Sequence, residues 1–353
     1  MRILYGISSD GLGHTMRARV VAGHLVALGH DVRLAAAGRA ARILRGHGFD
    51  VVDVRGLFAD VAGGRVRRAR TLFANAWQTP RRVEHNVRAA IEQATRFRPD
   101  VVVTDFSSFA CVVAHLTGAP LLSIDHQHVL DRFLHPPALI ADFATDFAIA
   151  EAVVRAKTPG CIHYVVTSFF APPVDPAAAR STTLVAPLLR TELARLSPSV
   201  GDHVVVYQTA ADTAALLPVL QALPELAFRV YGAGAPGRFG NVELLPFDEA
   251  GFLADLTSAR AVVTNGGFTA IAEALLFGKP VLSVPLVHQA EQQLNAAWLA
   301  ALGLGLTAPS VTADGVRELV DRASELRAAN DREPGAGTEK GLKLVERLLE
   351  EVA

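Results

Sequence analysis

The chain has only two cysteines among its 353 residues. Cys111 and Cys161 occur in unrelated contexts, and neither belongs to a C-x-x-C or C-x-x-x-H pattern. A disulfide framework and a zinc site are therefore not indicated, and a reducing compartment is expected. An excess of charge is also missing, because 34 basic and 35 acidic side chains leave a formal net charge of -1. This balance argues against nucleic-acid binding through general electrostatic attraction.

Long hydrophobic runs are absent as well. The N-terminal residues have the pattern of a strand followed by a glycine-rich loop, without the apolar region and small-residue cleavage site of a secretory signal. The apolar stretches 101–124 and 138–154 are each interrupted by aspartate, so neither is expected to span a membrane. We therefore expect a cytoplasmic protein, either monomeric or homodimeric.

One cationic region interleaves arginines with Leu72, Phe73 and Trp77. This composition is compatible with peripheral contact to the anionic inner face of a membrane, or with a phosphorylated acceptor. A solvated helix and loop is the default interpretation of such a charge cluster. The arginines are Arg65, Arg67, Arg68, Arg70, Arg81 and Arg82.

Half of the residues are hydrophobic, and the length favours two domains over one. Short apolar runs alternate with helical patterns in both halves, which predicts an α/β protein with two doubly wound parallel sheets in tandem. We expect an N-terminal domain at 1–170, a linker rich in proline and alanine at 171–200, a second domain at 201–335, and an amphipathic helix within 336–353 that folds back across the linker. The predicted strands are Arg2–Ile7, Val32–Ala36, Val51–Val54, Val101–Thr104, Leu121–Ile124, His203–Tyr207, Ala227–Tyr231, Val242–Leu245, Ala261–Thr264 and Val281–Val284.

The segment 262–296 carries the most information. An apolar strand is followed by Gly266 and Gly267 and then by a helical pattern that ends at Gly278. Backbone N–H groups at a helix start are unpaired and lie at the positive end of the dipole, so a strand, a Gly-Gly turn and a helix form a phosphate-binding site. Thr269 and Glu273 lie one turn apart on one helix face, a spacing that suits a phosphate beside the first and ribose hydroxyls on the second.

Several motifs together resemble the inverting GT-B glycosyltransferases, especially the peptidoglycan N-acetylglucosaminyltransferase and the plant and antibiotic UDP-sugar transferases. The resemblance extends over both domains, although the middle of the N-terminal half matches poorly. The motifs are the Gly11-Leu12-Gly13-His14 loop, the strand Arg98-Pro99-Asp100-Val101-Val102-Val103-Thr104-Asp105, the turn Asn265-Gly266-Gly267, Glu273, Gly278-Lys279-Pro280, Val284-Pro285, and Glu291-Gln292-Gln293-Leu294-Asn295-Ala296.

The resemblance implies a GT-B fold with two Rossmann-like domains facing a cleft. It also implies a nucleotide-sugar co-substrate, expected to be UDP-linked, with no further cofactor and no metal. In the donor site the diphosphate would contact the turn, Glu273 the ribose, and Glu291 with Gln292 the sugar hydroxyls. Two departures from the family pattern are Asn265, where the turn often begins with histidine, and Glu291, where Asp or Gln is more usual. The expected donor-binding residues are Thr209, Phe247, Asn265, Gly266, Gly267, Phe268, Thr269, Glu273, Glu291 and Gln292.

Polar side chains follow the strands of the first half, at the edge where ligands bind in such sheets. His14 is the candidate base for the acceptor hydroxyl, because imidazole titrates near neutral pH. Asp105 is either the residue that orients this imidazole or the N-cap of the next helix. We expect acceptor contacts from the same edge, although exposed loop polarity is an alternative for the Asp-His-Gln-His run. The expected acceptor-binding residues are Gly13, Asp125, His126, Gln127 and His128.

The residues leave other functions open. A nucleotide-sugar 2-epimerase uses the same fold, but we cannot assign the set of carboxylates that its elimination chemistry needs. A non-catalytic nucleotide-sugar binding protein would need only the donor site. A nicotinamide dehydrogenase is disfavoured, because Met16 occupies the third glycine position of the motif and no acidic residue ends the second strand.

Overall fold

The structure is a computed structural model that describes residues 1–8, 11–56, 61–62, 65–66, 81–209, 212–328 and 336–352. Most of the cationic region between Arg65 and Arg82 lies outside the described residues, so its proposed membrane contact stays a prediction. Within the described residues, no helix is both long enough and apolar enough to cross a membrane.

The first domain is built on a seven-stranded parallel sheet with the order β3-β2-β1-β6-β7-β8-β9, beside a short antiparallel pair β4-β5. Its central strands are apolar on both faces because helices cover both sides. The strands are β1 (Arg2–Ile7), β2 (Asp31–Ala36), β3 (Asp50–Asp53), β4 (Val61–Ala62), β5 (Arg65–Val66), β6 (Val101–Asp105), β7 (Leu121–Asp125), β8 (His163–Thr167) and β9 (Thr182–Val185).

Helices connect these strands in the right order for crossover units. The third helix continues into a π-helical turn at Gln93–Phe97, and a short 3-10 turn at Gln127–Val129 follows β7. The helices are α1 (Leu12–Ala27), α2 (Gly38–Gly46), α3 (81–92), α4 (Ser108–Thr117), α5 (Pro137–Ile140) and α6 (Ala144–Lys157).

The second domain repeats this plan with the order β12-β13-β11-β10-β14-β15-β16, in which only β12 is antiparallel. The strands are β10 (His203–Tyr207), β11 (Ala227–Tyr231), β12 (Gly237–Phe239), β13 (Val242–Leu245), β14 (Ala261–Thr264), β15 (Val281–Ser283) and β16 (Gly305–Thr307). The helices are α7 (Thr213–Gln221), α8 (Glu249–Ser258), α9 (Phe268–Leu276), α10 (Ala290–Ala301), α11 (Ala313–Asp321), α12 (Ala323–Ala328) and α13 (Ala336–Val352).

The structure corrects the predicted linker at 171–200. Strand β9 lies inside that range and pairs with β8 in the first sheet, with Tyr164 opposite Thr182. The first domain therefore extends to at least Val185, and the connection between the domains is shorter than the composition suggested. The final helix α13 packs on the first domain, where Leu349 shares a core with Ile3.

In each sheet, successive connections leave a central strand in opposite directions. Strand β1 lies between β2 and β6, and β10 lies between β11 and β14. A crevice forms outside the carboxyl end of the sheet at such a reversal. The two crevices face each other across the domain boundary.

Candidate functional site

The two crevices form one cleft with an empty volume of about 1040 Å³, including its open mouth. Both domains and the linker contribute to it. The first domain supplies Gly11, Leu12, Gly13, His14, Met16, Arg17, His126 and Gln127, the linker supplies Arg190, and the second domain supplies Tyr207, Thr209, Phe247, Phe252, Thr264, Asn265, Gly267, Phe268, Thr269, Ala270, Glu273, Gln289, Glu291 and Gln292.

The glycine turn after β14 has the conformation of an anion site. Gly266 has φ of +88°, and a Cβ there would lie 2.9 Å from the Gln292 carbonyl oxygen, so only glycine fits without strain. Helix α9 then begins at Phe268, with Gly267 as an N-cap that makes no side-chain hydrogen bond. The first N–H groups of this helix therefore point toward the cleft without a side-chain cap, as a phosphate would require.

A second helix N-terminus meets this turn from the other domain. Helix α1 begins after Gly11, and Gly13 in its first turn lies against Thr269. A Cβ on Gly13 would lie 2.6 Å from the Thr269 hydroxyl oxygen. The glycine therefore permits a close approach of the two domains beside the predicted phosphate position.

Asn265 is turned into the sheet. Its amide oxygen accepts the Thr209 N–H at 2.8 Å, and its amide nitrogen donates to the Gln208 side-chain oxygen at 3.2 Å. The side chain thus fixes the end of β10, and both its oxygen and its nitrogen have protein partners. An extra phosphate contact from this side chain, as the family's histidine would provide, is not available in this conformation.

Glu273 is buried and forms a bidentate ion pair with Arg190 of the linker, which sequence reasoning did not single out. Arg190 Nη2 lies 2.7 Å from each carboxylate oxygen, and Arg190 Nη1 lies 2.8 Å from Glu249 Oε1. Arg19 of the first domain also pairs with Glu249 at 2.9 Å. Burial raises the pKa of Glu273, and Arg190 offsets this only in part. The need of this buried carboxylate for a partner is therefore met within the protein, without ribose.

His14, Asp105 and Arg17 form a buried cluster on the opposite wall. His14 Nδ1 lies 2.7 Å from Asp105 Oδ1, and Arg17 binds both oxygens of that carboxylate at 2.7 and 2.8 Å. Burial acts to lower the pKa of Arg17, but Asp105 outweighs it and holds the pKa above the ordinary value. Asp105 is thus an ion-pair acceptor and makes no side-chain cap for α4. With Nδ1 donating to Asp105, the lone pair of His14 Nε2 is directed into the cleft.

Gln127 bridges the two walls. Its amide nitrogen donates to His14 Nε2 at 3.2 Å and to Glu291 at 3.0 Å. The same amide carries a buried oxygen for which the described residues supply no partner. In the ligand-free protein, Gln127 therefore occupies the lone pair that a substrate hydroxyl would have to reach.

Asp125 and His128 do not reach the cleft, which corrects their predicted acceptor contact. Asp125 accepts the Ser123 hydroxyl at 2.6 Å and the His128 ring at 2.7 Å, and both side chains are buried. Ser123 and Asp125 are two residues apart on a strand, so they share one face of the sheet, and neither lines the cleft. The other imidazole nitrogen of His128 meets the Thr158 hydroxyl at 3.1 Å. His126 and Gln127, by contrast, line the cleft.

An aromatic wall closes the far end of the cleft. Phe247, Tyr207 and Phe252 have ring centroids between 5.4 and 6.0 Å apart, and Arg39 of the first domain lies 5.0 Å over the Phe247 ring. Flat apolar surfaces of this kind suit a nucleobase. No group of three or more His, Cys, Asp or Glu side chains able to hold a metal ion occurs among the described residues.

Two functional residues were not singled out from the sequence. Arg17 lies three residues after His14, so helical spacing was a usable signal for their contact. Arg190 offered no local signal, because its position beside Glu273 depends on how the linker passes between the domains. Gly266 belongs to the turn but does not itself line the cleft.

This architecture is that of a GT-B glycosyltransferase. The calicheamicin glycosyltransferase CalG4 matches the fold with a TM-score of 0.66 and 20% identity, covering 100% of this chain and 99% of its own. The glycosyltransferase SsfS6 of Streptomyces sp. SF2575, solved with thymidine diphosphate, matches with a TM-score of 0.59 and 21% identity, covering 98% and 99%.

Sequence comparisons identify the family. The family model of glycosyl transferase family 1 matches residues 1–323, and the chain belongs to this family. An uncharacterized glycosyltransferase of Methanosarcina acetivorans is 25% identical over 99% of this chain and 98% of its own length. The UDP-N-acetylglucosamine--N-acetylmuramyl-(pentapeptide) pyrophosphoryl-undecaprenol N-acetylglucosamine transferase of Methylobacterium nodulans is 28% identical over 63% of this chain and 62% of its own length.

Proposed function

We propose that this glycosyltransferase moves a sugar from a UDP-linked donor to an acceptor hydroxyl with inversion at the anomeric carbon, using His14 as the base. The observation that carries the proposal is the 2.7 Å contact between His14 Nδ1 and buried Asp105, which directs the Nε2 lone pair into the cleft opposite the glycine turn. Direct displacement requires such a base, because the acceptor oxygen loses its proton as it attacks.

The leaving diphosphate is stabilised by protein dipoles in this proposal. The N–H groups at the start of α9, near Gly267 and Thr269, supply fixed partial positive charge where negative charge develops. The start of α1 adds a second dipole from the first domain. The reaction therefore has electrostatic support for its leaving group without a divalent ion.

Glu273 is the proposed ribose ligand, held in place by Arg190. A carboxylate oxygen has more than one acceptor direction, so the Arg190 pair leaves capacity for ribose hydroxyls. A ribonucleotide offers two hydroxyls and a deoxyribonucleotide one. We expect UDP to bind more tightly than its 2′-deoxy analogue, and equal affinities would remove this role from Glu273.

The proposal is tested by replacing His14 with Gln. With a donor and acceptor pair that wild type uses, we expect kcat to fall by about 10²- to 10⁴-fold. Calorimetry should find UDP affinity within about threefold of wild type, because the proposed diphosphate contacts are backbone N–H groups that the substitution keeps. The control is His115→Gln, an exposed histidine of α4 that does not line the cleft. A loss of less than tenfold would show that His14 is not the base. Wild type that binds UDP but transfers no sugar would favour a binding protein.

A further inference from the structure

His126 forms part of a chain of polar contacts between the two domains. Its Nδ1 lies 2.7 Å from the Thr167 carbonyl oxygen, and its Nε2 lies 2.8 Å from the Asn295 side-chain oxygen. The amide nitrogen of Asn295 then donates to the Gly266 carbonyl oxygen at 3.1 Å. The chain therefore joins the end of β8 in the first domain to the glycine turn of the donor domain.

The two ends of this chain determine how many protons it needs. Thr167 and Gly266 each present a backbone carbonyl, which can only accept. The Asn295 amide must therefore turn its N–H toward Gly266 and its oxygen toward His126. Both imidazole nitrogens consequently face acceptors, and both can be satisfied only if each carries a hydrogen. A neutral imidazole has one N–H, so the complete chain requires the imidazolium.

The surroundings of His126 oppose this cation in the ligand-free protein. Burial lowers the pKa of His126, although Glu291 and the two hydrogen bonds act in the other direction. Arg17 of α1 is a further unfavourable charge, and nearby Asp125 is already paired with His128. Near neutral pH the free protein therefore leaves one link of the chain unmade.

A bound diphosphate would change this balance. The His126 ring stacks on Phe268, with centroids 4.0 Å apart and planes at 15°. Phe268 is the first residue of α9 and adjoins the turn where the phosphates are expected, so the negative charge of the ligand would lie close to the imidazole. Negative charge nearby favours protonation, and the stacked ring also favours a cation over its face.

We propose that His126 is a positioning residue that takes up a proton from solvent when the donor diphosphate binds. The imidazolium then completes the hydrogen-bonded chain, through the Asn295 amide, from the first domain to the Gly266 carbonyl. This inference rests on the proposed donor site. The His126 imidazolium would place a positive charge of the first domain beside the glycine turn. The neutral side chain of Asn265, at the start of that turn, supplies no such charge. The locked carbonyl also fixes the peptide between Gly266 and Gly267.

Calorimetric titration of UDP into the full chain tests the proposal. Titrations at pH 7.5, in two buffers with different ionisation enthalpies, give the number of protons exchanged, and at this pH the ligand's terminal phosphate, with a pKa of about 6, is already ionised. We expect uptake of about 0.5 to 1 proton per UDP. The Kd for UDP should therefore rise by up to about tenfold per pH unit above pH 7.5. Wild type that binds UDP without proton uptake overturns the inference and leaves the proposed function standing. Wild type that does not bind UDP would instead contradict the proposed function.

Three variants identify the group that takes up the proton. His126→Gln cannot titrate, and Asn295→Leu removes the second acceptor so that a neutral imidazole is satisfied. We expect both variants to bind UDP without proton uptake. His14→Gln is the matched control, since it removes the other histidine of the cleft and should retain uptake. Uptake that persists in His126→Gln, or disappears in His14→Gln, would assign the proton to another group and overturn the inference.

Discussion

Replacement of Asp105 by Asn is the most direct perturbation of the proposed base. The carboxylate makes three charge-assisted contacts, one from His14 and two from Arg17, while none of its surface is exposed. An amide keeps the shape but has one acceptor oxygen in place of two. If its nitrogen takes the Oδ2 position, it faces Arg17 Nε, and two donors oppose each other. If its nitrogen takes the Oδ1 position, it faces both Arg17 Nη2 and His14 Nδ1, and the imidazole must adopt the other tautomer, with its hydrogen on Nε2 and no lone pair toward the cleft.

The two arrangements have different costs. In the first arrangement, buried Arg17 loses the only ion-pair partner described for it, which costs about 3–5 kcal/mol of unfolding free energy. A protein whose total unfolding free energy is roughly 5–15 kcal/mol can remain folded after this loss. The wrong tautomer costs about 10⁴-fold in kcat, the size seen when the acid of a Ser-His-Asp triad is replaced in the same way. Catalysis should therefore fall far more than the folded fraction.

The assay measures UDP release at saturating substrate, together with urea unfolding of the same preparation. Asp255→Asn is the matched control, because Asp255 is also a largely buried acceptor and does not line the cleft. It accepts from Arg229, and from the Tyr231 hydroxyl at 2.5 Å. We expect the control to lose stability and keep kcat. An Asp105→Asn protein that is folded and retains kcat within about tenfold of wild type would refute the assigned role of Asp105.

Two further predictions follow from close contacts. Gly13→Ala should weaken UDP binding by about tenfold or more in calorimetry, because its Cβ displaces Thr269, whereas Gly23→Ala in the same helix meets nothing within 4 Å and should bind normally. Burial acts to lower the pKa of His128, but Asp125 outweighs it, so the pKa lies above the ordinary 6.5. The resulting stabilisation is present below pH 6.5 and is lost as pH rises through the folded-state pKa. In wild type the free energy of unfolding, measured with urea, should therefore fall by up to about 1.4 kcal/mol per pH unit above pH 6.5. In His128→Gln this fall should be absent. An unchanged slope in that variant would contradict the pairing.

The sequence was sufficient where the chemistry is local. The glycine turn, Glu273 one helical turn later, and the His14 loop are each defined by spacing within a few residues, and all of them line the cleft or its turn. The ten predicted strands also occur within one residue at each end. Strand β9 was missed because its Thr-Thr-Leu-Val run lies in a region rich in proline and alanine, and pairing with β8 outweighs that composition.

Contacts between distant segments could not be predicted in the same way. The sequence places Asp125 and His126 at the same strand end, but the alternation of side chains sends the first to the Ser123 face and leaves the second in the cleft. Arg190 reaches Glu273 because the linker packs against α9, where Leu193 shares a core with Ile271. The partners of both Glu273 and His126 lie more than forty residues away or across a domain boundary.

Three polar side chains of the cleft are already paired in the ligand-free protein, and this bears on how the cleft works. Glu273 is paired with Arg190, His14 Nε2 with Gln127, and the Asn265 side chain with the end of β10. A substrate hydroxyl that reaches His14 must therefore exchange a protein contact for its own, and binding is favourable where the ligand gains charge pairing or hydrogen bonds. A diphosphate at two helix N-termini gains both, whereas a neutral acceptor hydroxyl at His14 only replaces the Gln127 amide. We therefore expect UDP to bind measurably without acceptor, and acceptor binding to depend on donor, because the bound donor adds contacts that the hydroxyl alone does not have.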